Sequence, residues 1–203
     1  KELILVGGGG HCISCIDVIE ATKKYQIKGI IDNNISIKNN VSGYKLLGDD
    51  ANFLDKNLTK KYFLITVGQL SDYKIRKRLY ENYLKRGAKF PVIISPNAYV
   101  SENSEVSSGT IIMHGVTLNS NTKIKENCII NSNALIEHDA IIESNCHIST
   151  GSIVNGGSKI GSCTFVGSGA IIYENISVGN NCVIQAGSIV NKSIAEGTFF
   201  KRQ

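Results

Sequence analysis

A six-residue repeat runs without interruption through the C-terminal half of the chain. From Ile94 to Val190 every sixth residue is Ile, Val or Leu, and seventeen consecutive positions fit without insertion or deletion. A second series, from Ala98 to Ile194, lies four residues after the first and contains small or β-branched residues. A period of six matches neither the 3.6 of an α-helix nor the 2 of a strand. It is typical of a parallel β-helix.

The repeat predicts a triangular prism in which each hexad is a short strand and a corner, and three hexads make a coil of eighteen residues. The large aliphatic residue points into the prism, and Asn or Gly suits the corners. Coils stack about 4.8 Å apart, so nearly six coils make a column of roughly 27 Å. Each buried aliphatic side chain contributes about 1.5–3 kcal/mol, coil after coil.

The N-terminal part of the chain alternates apolar runs with helical segments, which predicts a small parallel α/β domain. The expected strands are Glu2–Val6, Gly29–Asp32, Tyr62–Val67 and Lys89–Ile94, the expected helices are Ser14–Tyr25, Asp49–Leu54 and Ser71–Arg86, and residues 33–43 are expected to form a loop. We therefore expect a Rossmann-like domain over residues 1–92, a β-helix over 93–198 and a short tail over 199–203.

Four glycines follow the first predicted strand and precede the first predicted helix, in the run Gly7–Gly10. Backbone N–H groups and the helix dipole favour phosphate at such a place. Cys12 interrupts the three-glycine dinucleotide pattern, while Asp32 stands where a ribose-binding acid follows that loop. The domain is half the size of a dinucleotide fold, so a nucleotide-sugar fits it better than NAD. The alternative is a glycine turn that only packs closely.

Charge and hydropathy favour neither nucleic acid nor membrane as a partner. The net charge is +5, and much of the positive charge lies in Lys74–Arg86, where a solvated helix face is the favoured interpretation. There is no apolar run of eighteen residues. The apolar stretch Leu3–Val6 is too short for a signal peptide, so we expect a cytoplasmic protein.

The six cysteines are interpreted as packing residues. Cys128 and Cys146 stand eighteen apart in the small-residue series, and Cys182 continues it. Stacking in adjacent coils would permit a disulfide, but reduced thiols are favoured in the cytoplasm. Cys12 and Cys15 form a CxxC sequence that follows a glycine run rather than a thioredoxin-like turn.

The repeat resembles the hexapeptide-repeat, left-handed β-helix family, whose enzymes are mostly trimeric acyltransferases. With its N-terminal domain, the chain resembles the bacterial sugar acetyltransferases of glycan biosynthesis: the bacillosamine and perosamine N-acetyltransferases and the sialic acid O-acetyltransferases. The motifs that carry this resemblance are VGGGGH (6–11), IIDN (30–33), ITVGQ...IR (65–76), NSNALIEHD (131–139) and CHISTG (146–151). The ending EGTFFKRQ departs from the family's Val-Gly-x-Pro-Ala-Lys segment, as does Gly9 where relatives often have Ser.

The resemblance implies acetyl-CoA as co-substrate, a nucleotide-sugar acceptor, no metal, and a homotrimer with active sites between subunits. It makes His138 the catalytic base and places His147 near the thioester. The residues that it assigns to acetyl-CoA are His147, Ser149, Gly156 and Gly167. Those that it assigns to the sugar substrate are Gly8, Gly9, Gly10, His11, Asp32, Asn33, Gly68 and Asn131.

The residues around His138 suit acetyl transfer to an amine. His138 and His147 avoid the inward position of their hexads, so both are predicted to face outward or toward a neighbouring subunit. Glu137 and Asp139 flank His138, and a carboxylate beside an imidazole fixes its tautomer and raises its basicity. A protonated amine is no nucleophile, so direct transfer needs a base but no covalent acyl-enzyme.

Three alternatives to acetyl transfer onto an amine remain. A zinc site from His114, His138 and His147 is disfavoured, because spacings of twenty-four and nine residues place them on different faces. Transfer to a hydroxyl, as in sialic acid O-acetylation, differs from N-acetylation by one acceptor atom. A non-catalytic β-helix scaffold or binding protein is the third, and it leaves the IEHD sequence at 136–139 unexplained.

Overall fold

The computed structural model describes residues 1–34, 40–54 and 58–201. Its N-terminal part is an α/β domain with one five-stranded sheet in the order β3-β4-β2-β1-β5. The pairings are parallel except for the antiparallel pair β3–β4. The elements are β1 (Glu2–Val6), α1 (Gly10–Thr22), β2 (Gln26–Ile31), β3 (Asn40–Val41), β4 (Tyr44–Gly48), α2 (Asp50–Leu54), β5 (Tyr62–Ile65) and α3 (Lys74–Lys85).

Strand β1 lies between β2 and β5, and its buried residues Leu3 and Leu5 belong to the domain core. At its end Gly7 adopts φ +106°, and a Cβ there would lie 2.4 Å from a Cγ2 of Val67. Only glycine satisfies both conditions. The chain therefore turns sharply at the carboxyl edge of the sheet, beside the ends of β2 and β5. This edge is where α/β domains bind ligands.

Several boundaries differ from the predicted ones. Helix α1 begins at Gly10 rather than Ser14, because its N-cap is Gly9, which has no capping side chain for a sequence pattern to show. The predicted loop 33–43 contains strand β3, which pairs with β4 through a turn with positive φ at Ser42 and Gly43. The other part of that loop, residues 35–39, lies outside the described residues. Of the predicted strand Lys89–Ile94, only Ile93–Ile94 is a strand, while Lys89 makes an isolated bridge to Tyr62.

The C-terminal part is a parallel β-helix whose three sheets we call face 1, face 2 and face 3. Face 1 contains β6 (Ile93–Ile94), β9 (Ile111–Ile112), β12 (Ile129–Ile130), β15 (His147–Ile148), β18 (Phe165–Val166), β21 (Val183–Ile184) and β23 (Phe199–Phe200). Face 2 contains β7 (Tyr99–Val100), β10 (Thr117–Leu118), β13 (Leu135–Ile136), β16 (Ile153–Val154), β19 (Ile171–Ile172) and β22 (Ile189–Val190). Face 3 contains β8 (Glu105–Val106), β11 (Lys123–Ile124), β14 (Ile141–Ile142), β17 (Lys159–Ile160) and β20 (Ser177–Val178).

The predicted coil is confirmed by the strand register, because residues eighteen apart pair in parallel from Ile93 to Ile184. The second residue of most strands points into the prism and is fully buried, as at Ile136 and Ile148. Corners use the left-handed conformation, mostly at Asn and Gly. All six cysteines lie within the described residues, and each is a buried free thiol, as predicted.

The chain end predicted as a tail forms a last strand instead. Phe199 and Phe200 pair with Val183 and Ile184 and so extend face 1. Their distance from β21 along the chain is sixteen residues rather than eighteen, which places them outside the hexad series. The sequence period therefore does not reveal this strand.

The N-terminal domain is fixed over face 1 by a buried arginine. Arg76, on α3, is fully buried and donates from Nη1 to the carbonyls of Ile65 and Val67 at 2.5 and 3.0 Å. Its Nε donates to the carbonyl of Asn127 in the β-helix at 3.4 Å. Burial lowers the pKa of Arg76 to about 10, so the side chain stays charged at neutral pH. In the described ranges, no helix has the length and apolar character needed to cross a membrane.

Candidate active site

A cavity of about 640 Å³ opens at the carboxyl edge of the α/β sheet. We call it the glycine pocket. Four parts of the chain enclose it: the loop after β1 with the start of α1, Asp32 after β2, the loop after β5, and His147 of face 1. Its lining comprises Gly7, Gly9, Gly10, His11, Asp32, Thr66, Val67, Gly68, Gln69, Leu70, Ser71, Asp72 and His147. Five of the eight predicted sugar-substrate residues therefore meet there: Gly9, Gly10, His11, Asp32 and Gly68.

The glycines of this loop have different roles. A Cβ at Gly9 or Gly10 would meet no atom within 4 Å, whereas one at Gly7 would clash with Val67. Close packing therefore explains Gly7 but neither Gly9 nor Gly10. At Gly9 and Gly10 the absence of a side chain leaves the pocket open at the start of α1, where unpaired N–H groups favour an anion.

Asp32 shapes the glycine loop. Its Oδ2 accepts a hydrogen bond from the Gly8 amide at 2.5 Å, and its Oδ1 accepts one from the Asn34 amide at 2.6 Å. Gly8 thus supports the loop through its backbone. Asn33 turns the other way, exchanging hydrogen bonds of 2.8 Å with Asp50 at the start of α2. Neither Gly8 nor Asn33 lines the glycine pocket.

Two neutral histidines form one wall of the glycine pocket. The rings of His11 and His147 lie 6.4 Å apart. Desolvation, with the positive charge of Arg76, lowers the pKa of His11 to about 3. Desolvation also lowers the pKa of His147 to about 4, although the hydrogen bond to Gln69 opposes this shift. Both rings are therefore uncharged at neutral pH.

His147 has a defined tautomer. Its Nδ1 donates to the carbonyl of Gln69, which can only accept, and its Nε2 accepts from the Asn131 amide at 3.1 Å. The side chain points away from the prism, as predicted. It is covered, however, by the N-terminal domain of the same chain, and only 5% of the residue is exposed. Asn131, which the resemblance assigns to the sugar substrate, instead donates to the His147 ring.

The buried histidines predict a pH-dependent stability. A histidine with an ordinary unfolded pKa near 6.5 and a lowered folded pKa binds its proton mainly in the unfolded chain. Burying the neutral ring contributes fully to the free energy of unfolding above pH 6.5. For His147 this contribution is lost as the pH falls from 6.5 toward 4. Each such histidine contributes a slope of up to about 1.4 kcal/mol per pH unit. Urea denaturation of His147→Gln between pH 7 and 4.5 should show a shallower slope than the wild type. An equal slope would contradict the neutral, buried state.

A second cavity, of about 620 Å³, lies at the prism corner between faces 2 and 3. We call it the His138 pocket. Its lining comprises Glu137, His138, Asp139, Asn155, Gly156, Gly157, Glu174 and Asn175. The His138 side chain is 65% exposed. The predicted base is therefore accessible, and it faces outward as expected.

The carboxylate on His138 belongs to Asp139, whose Oδ2 lies 2.8 Å from Nδ1. Glu137, the other predicted candidate, instead accepts from Asn119 at 2.8 Å. Asp139 adopts φ +61° at a corner where neighbouring coils have Asn121, Gly157 and Asn175. Asp tolerates this left-handed position. The hydrogen bond to His138, followed by one from Asn121, lowers the pKa of Asp139.

Gly156 makes room for the His138 ring. A Cβ at this position would lie 2.7 Å from Nε2 and 2.8 Å from Cε1. Because the Asp139 carboxylate can only accept, Nδ1 carries the proton and Nε2 has a free lone pair. The His138 ring therefore packs against the backbone of Gly156, with Nε2 nearest to this glycine.

The other residues assigned to acetyl-CoA lie outside both pockets. Ser149 is buried, and its hydroxyl lies 2.9 Å from that of Ser168. A Cβ at Gly167 would lie 2.5 Å from the backbone nitrogen of Ala186 in the next coil. In the part of the chain that the structure describes, no three His, Cys, Asp or Glu side chains cluster as metal ligands would.

The chain matches two known domain families. Residues 2–83 match the PglD N-terminal domain, and residues 121–156 and 157–192 match the bacterial transferase hexapeptide repeat. A GDP-perosamine N-acetyltransferase of Escherichia coli O157:H7 is 34% identical over 82 residues. That match covers 40% of this chain and 35% of the relative, so the chain aligns with about a third of that enzyme's length.

Solved structures resemble the whole chain. The acetyltransferase domain of PglB from Neisseria gonorrhoeae FA1090 is 26% identical with a TM-score of 0.89, covering 97% of this chain and 94% of that one. The same domain has been solved with acetyl coenzyme A, at 25% identity and a TM-score of 0.90, with the same coverage. PerB from Caulobacter crescentus, in complex with CoA and GDP-perosamine, is 25% identical with a TM-score of 0.88, covering 97% and 91%.

These matches confirm the fold class predicted from the sequence, a Rossmann-like domain followed by a left-handed parallel β-helix. The two domain families match the α/β domain and the repeat separately, and the solved structures match both parts together. Residues 2–83 thus form a PglD-type N-terminal domain and residues 121–192 form bacterial transferase hexapeptide repeats, combined in the same architecture as the acetyltransferase domain of PglB.

Proposed function

We propose that the protein transfers the acetyl group of acetyl-CoA to the amino group of a nucleotide-linked amino sugar, of the UDP-4-amino sugar type, in bacterial glycan biosynthesis. The observation that carries this proposal is the His138–Asp139 pair at an exposed corner, with Nδ1 held by the carboxylate at 2.8 Å and Nε2 free. The structural relatives solved with acetyl coenzyme A, or with CoA and GDP-perosamine, support it.

The pair suits direct transfer. The amine nitrogen attacks the thioester carbonyl while Nε2 of His138 accepts the proton that the nitrogen must lose. The negative charge of Asp139 stabilises the resulting imidazolium. Collapse of the tetrahedral intermediate breaks the C–S bond, and the proton passes to the thiolate. The products are an N-acetyl sugar and free CoA, with no acyl-enzyme. Gly156, beside Nε2, is the assigned acetyl-CoA residue nearest to this chemistry.

The glycine pocket suits the nucleotide of the acceptor. The N-terminus of the thirteen-residue helix α1 opens into it between Gly9 and Gly10. Phosphate oxygens accept hydrogen bonds from such backbone N–H groups. Because His11 is uncharged at neutral pH, its ring forms one side of the pocket without adding a charge.

Substitution of Gly9 tests this assignment. Because a Cβ there meets no atom within 4 Å, Gly9→Leu should fold normally and fill the pocket. Loss of the phosphate contacts should raise the acceptor KM roughly 10–100-fold, with the acetyl-CoA KM nearly unchanged. Steady-state kinetics with each substrate varied separately measures this. Equal damage to both KM values would argue for a structural role of the loop.

The two pockets lie on different sides of one chain. The glycine pocket lies over face 1, while His138 stands at the opposite corner, between faces 2 and 3. One bound acceptor therefore reaches both only if a second copy supplies one of them. Outward side chains on face 2 form an apolar strip beside the His138 corner, interrupted only by Thr117 after its first member: Tyr99, Leu135, Ile153, Ile171 and Ile189. We therefore include a homotrimer, with active sites between subunits, in the proposal.

The apolar strip gives a test of assembly. Ile153→Lys and Ile171→Lys should each break the trimer, because a charge in a packed interface is costly. Light scattering at micromolar concentration should then give about one third of the wild-type mass of three times 22.0 kDa. Lys123→Glu, a charge change on polar face 3, is the control and should stay trimeric. A monomeric wild type would contradict the shared site.

One assay compares the proposed function with its alternatives. UDP-amino sugars, GDP-amino sugars and sialic acid are each incubated with acetyl-CoA, and thiol release is followed. Turnover only with amino sugars supports N-acetylation and identifies the nucleotide. Turnover only with sialic acid would replace it by O-acetylation. A folded trimer without turnover on any member would favour the scaffold interpretation.

A further inference from the structure

Asn121 lies directly below the catalytic pair, one coil earlier on the same corner. It precedes Asp139 by eighteen residues, and its Nδ2 donates to Oδ1 of Asp139 at 3.2 Å. The other carboxylate oxygen, Oδ2, accepts from Nδ1 of His138 at 2.8 Å. Each oxygen of Asp139 therefore has one donor, and together the two donors fix the plane of the carboxylate.

This restraint matters because the pair is open to solvent. The Asp139 side chain is 56% exposed, so packing does little to hold it in one orientation. Rotation of the carboxylate would remove the acceptor from Nδ1 of His138. The imidazole would then be free to carry its proton on Nε2, which abolishes the lone pair that takes the proton from the amine.

The neighbouring carboxylate is restrained in the same way. Asn119, two residues before Asn121, donates to Oε2 of Glu137 at 2.8 Å. The coil below thus supplies one amide to each carboxylate that flanks His138. Asp139 is held against the ring, while Glu137 is held on Asn119.

We propose that Asn121 is a positioning residue, which acts through Asp139 to keep His138 in its Nδ1–H tautomer with Nε2 free. The corner needs a residue that tolerates φ +62°, which Asn, Asp and Gly all do. Among these three, Asn alone has a side-chain donor for a carboxylate. The effect of Asn121 on kcat rests on the proposed function, whereas its effect on the His138 tautomer does not.

A double-mutant cycle tests whether Asn121 acts through Asp139. Asn121→Gly keeps the left-handed corner and removes the amide; we expect kcat to fall about 2–10-fold, with the acetyl-CoA KM unchanged. In an Asp139→Asn background the same substitution should change kcat less than about twofold, because its target is already lost. An unchanged kcat in the single variant, or effects that multiply in the double variant, would overturn the proposal.

The chain contains a matched control. Asn181 also adopts a left-handed corner, at φ +56°, and its Nδ2 donates to Oε1 of Glu196 at 3.0 Å. Asn181→Gly removes an equivalent amide–carboxylate pair on another corner and should leave kcat unchanged. Asn121→Asp is a second variant that suits the corner. It replaces the donor by an acceptor, so it should lower kcat at least as much as Asn121→Gly.

The tautomer is measured directly by imidazole ¹⁵N chemical shifts in histidine-labelled protein near neutral pH. We expect the Nδ1–H form for His138 in the wild type and in Asn181→Gly, and a mixture with Nε2–H in Asn121→Gly. This change of tautomer would support the positioning role even if no sugar in the panel were acetylated. Absence of acetylation would contradict the proposed function alone. An unshifted tautomer in Asn121→Gly would overturn the positioning role even in an active enzyme.

Discussion

His138→Ala is expected to lower kcat by about 10²–10⁴, because it removes the nitrogen that we propose takes the proton of the amine. The proposed trimer and the acetyl-CoA affinity should be kept. With 65% of its side chain exposed, His138 makes little contribution to the core. Steady-state kinetics, light scattering and the unfolding midpoint measure these three effects.

His114→Ala is the matched control for this experiment, because His114 and His138 occupy the same position of their hexads. His114 lies between Ser95 and Asp17, 2.6 and 3.0 Å from their oxygens, and so joins the β-helix to α1. Its loss should affect the junction between the domains and leave kcat within about twofold. Near-normal turnover by a folded His138→Ala trimer would contradict the base assignment. Deprotonation by the substrate itself or by solvent would then be favoured.

Position in the hexad predicted the accessible histidine, but only the coordinates identify its carboxylate. Glu137 and Asp139 flank His138 equally in the sequence, and both are carboxylates. The difference arises one coil below, where Asn119 pairs with Glu137 and Asn121 with Asp139. Since residues eighteen apart stack, the spacing of the repeat places Asn119 below Glu137 and Asn121 below Asp139. Both amides were therefore predictable from the sequence, although the choice between the two carboxylates was not.

The surroundings of His147 could not be read from the repeat. The period places this side chain outside the prism, which is correct, but what covers it depends on how the α/β domain packs on face 1. That packing rests on Arg76 and Gln69, which lie far away in sequence and donate to backbone carbonyls of the β-helix. Backbone acceptors leave no trace in side-chain patterns. The predicted thioester role of His147 remains a prediction, and its placement in the glycine pocket favours contact with the acceptor.

Gly156→Val is expected to lower kcat about 10–100-fold without removing any catalytic group. A Cβ at residue 156 would lie 2.7 Å from Nε2 of His138, well inside contact distance. The ring must therefore move, and a displacement near 1 Å of a reacting group costs up to about 10² in rate. The ring is exposed and can swing outward, so stability should change little. Kinetics with saturating acetyl-CoA, together with the unfolding midpoint, measures both effects.

Ser132→Val is the control for added bulk, because Ser132 stands at the equivalent hexad position on the corner between faces 1 and 2. It should leave kcat unchanged. Combining Gly156→Val with His138→Ala separates two roles of the glycine. If Gly156 serves only to place the ring, the double variant should be no slower than His138→Ala alone, because the displaced group is absent. A further loss of rate, with a raised acetyl-CoA KM, would instead show that Gly156 contacts the thioester substrate directly.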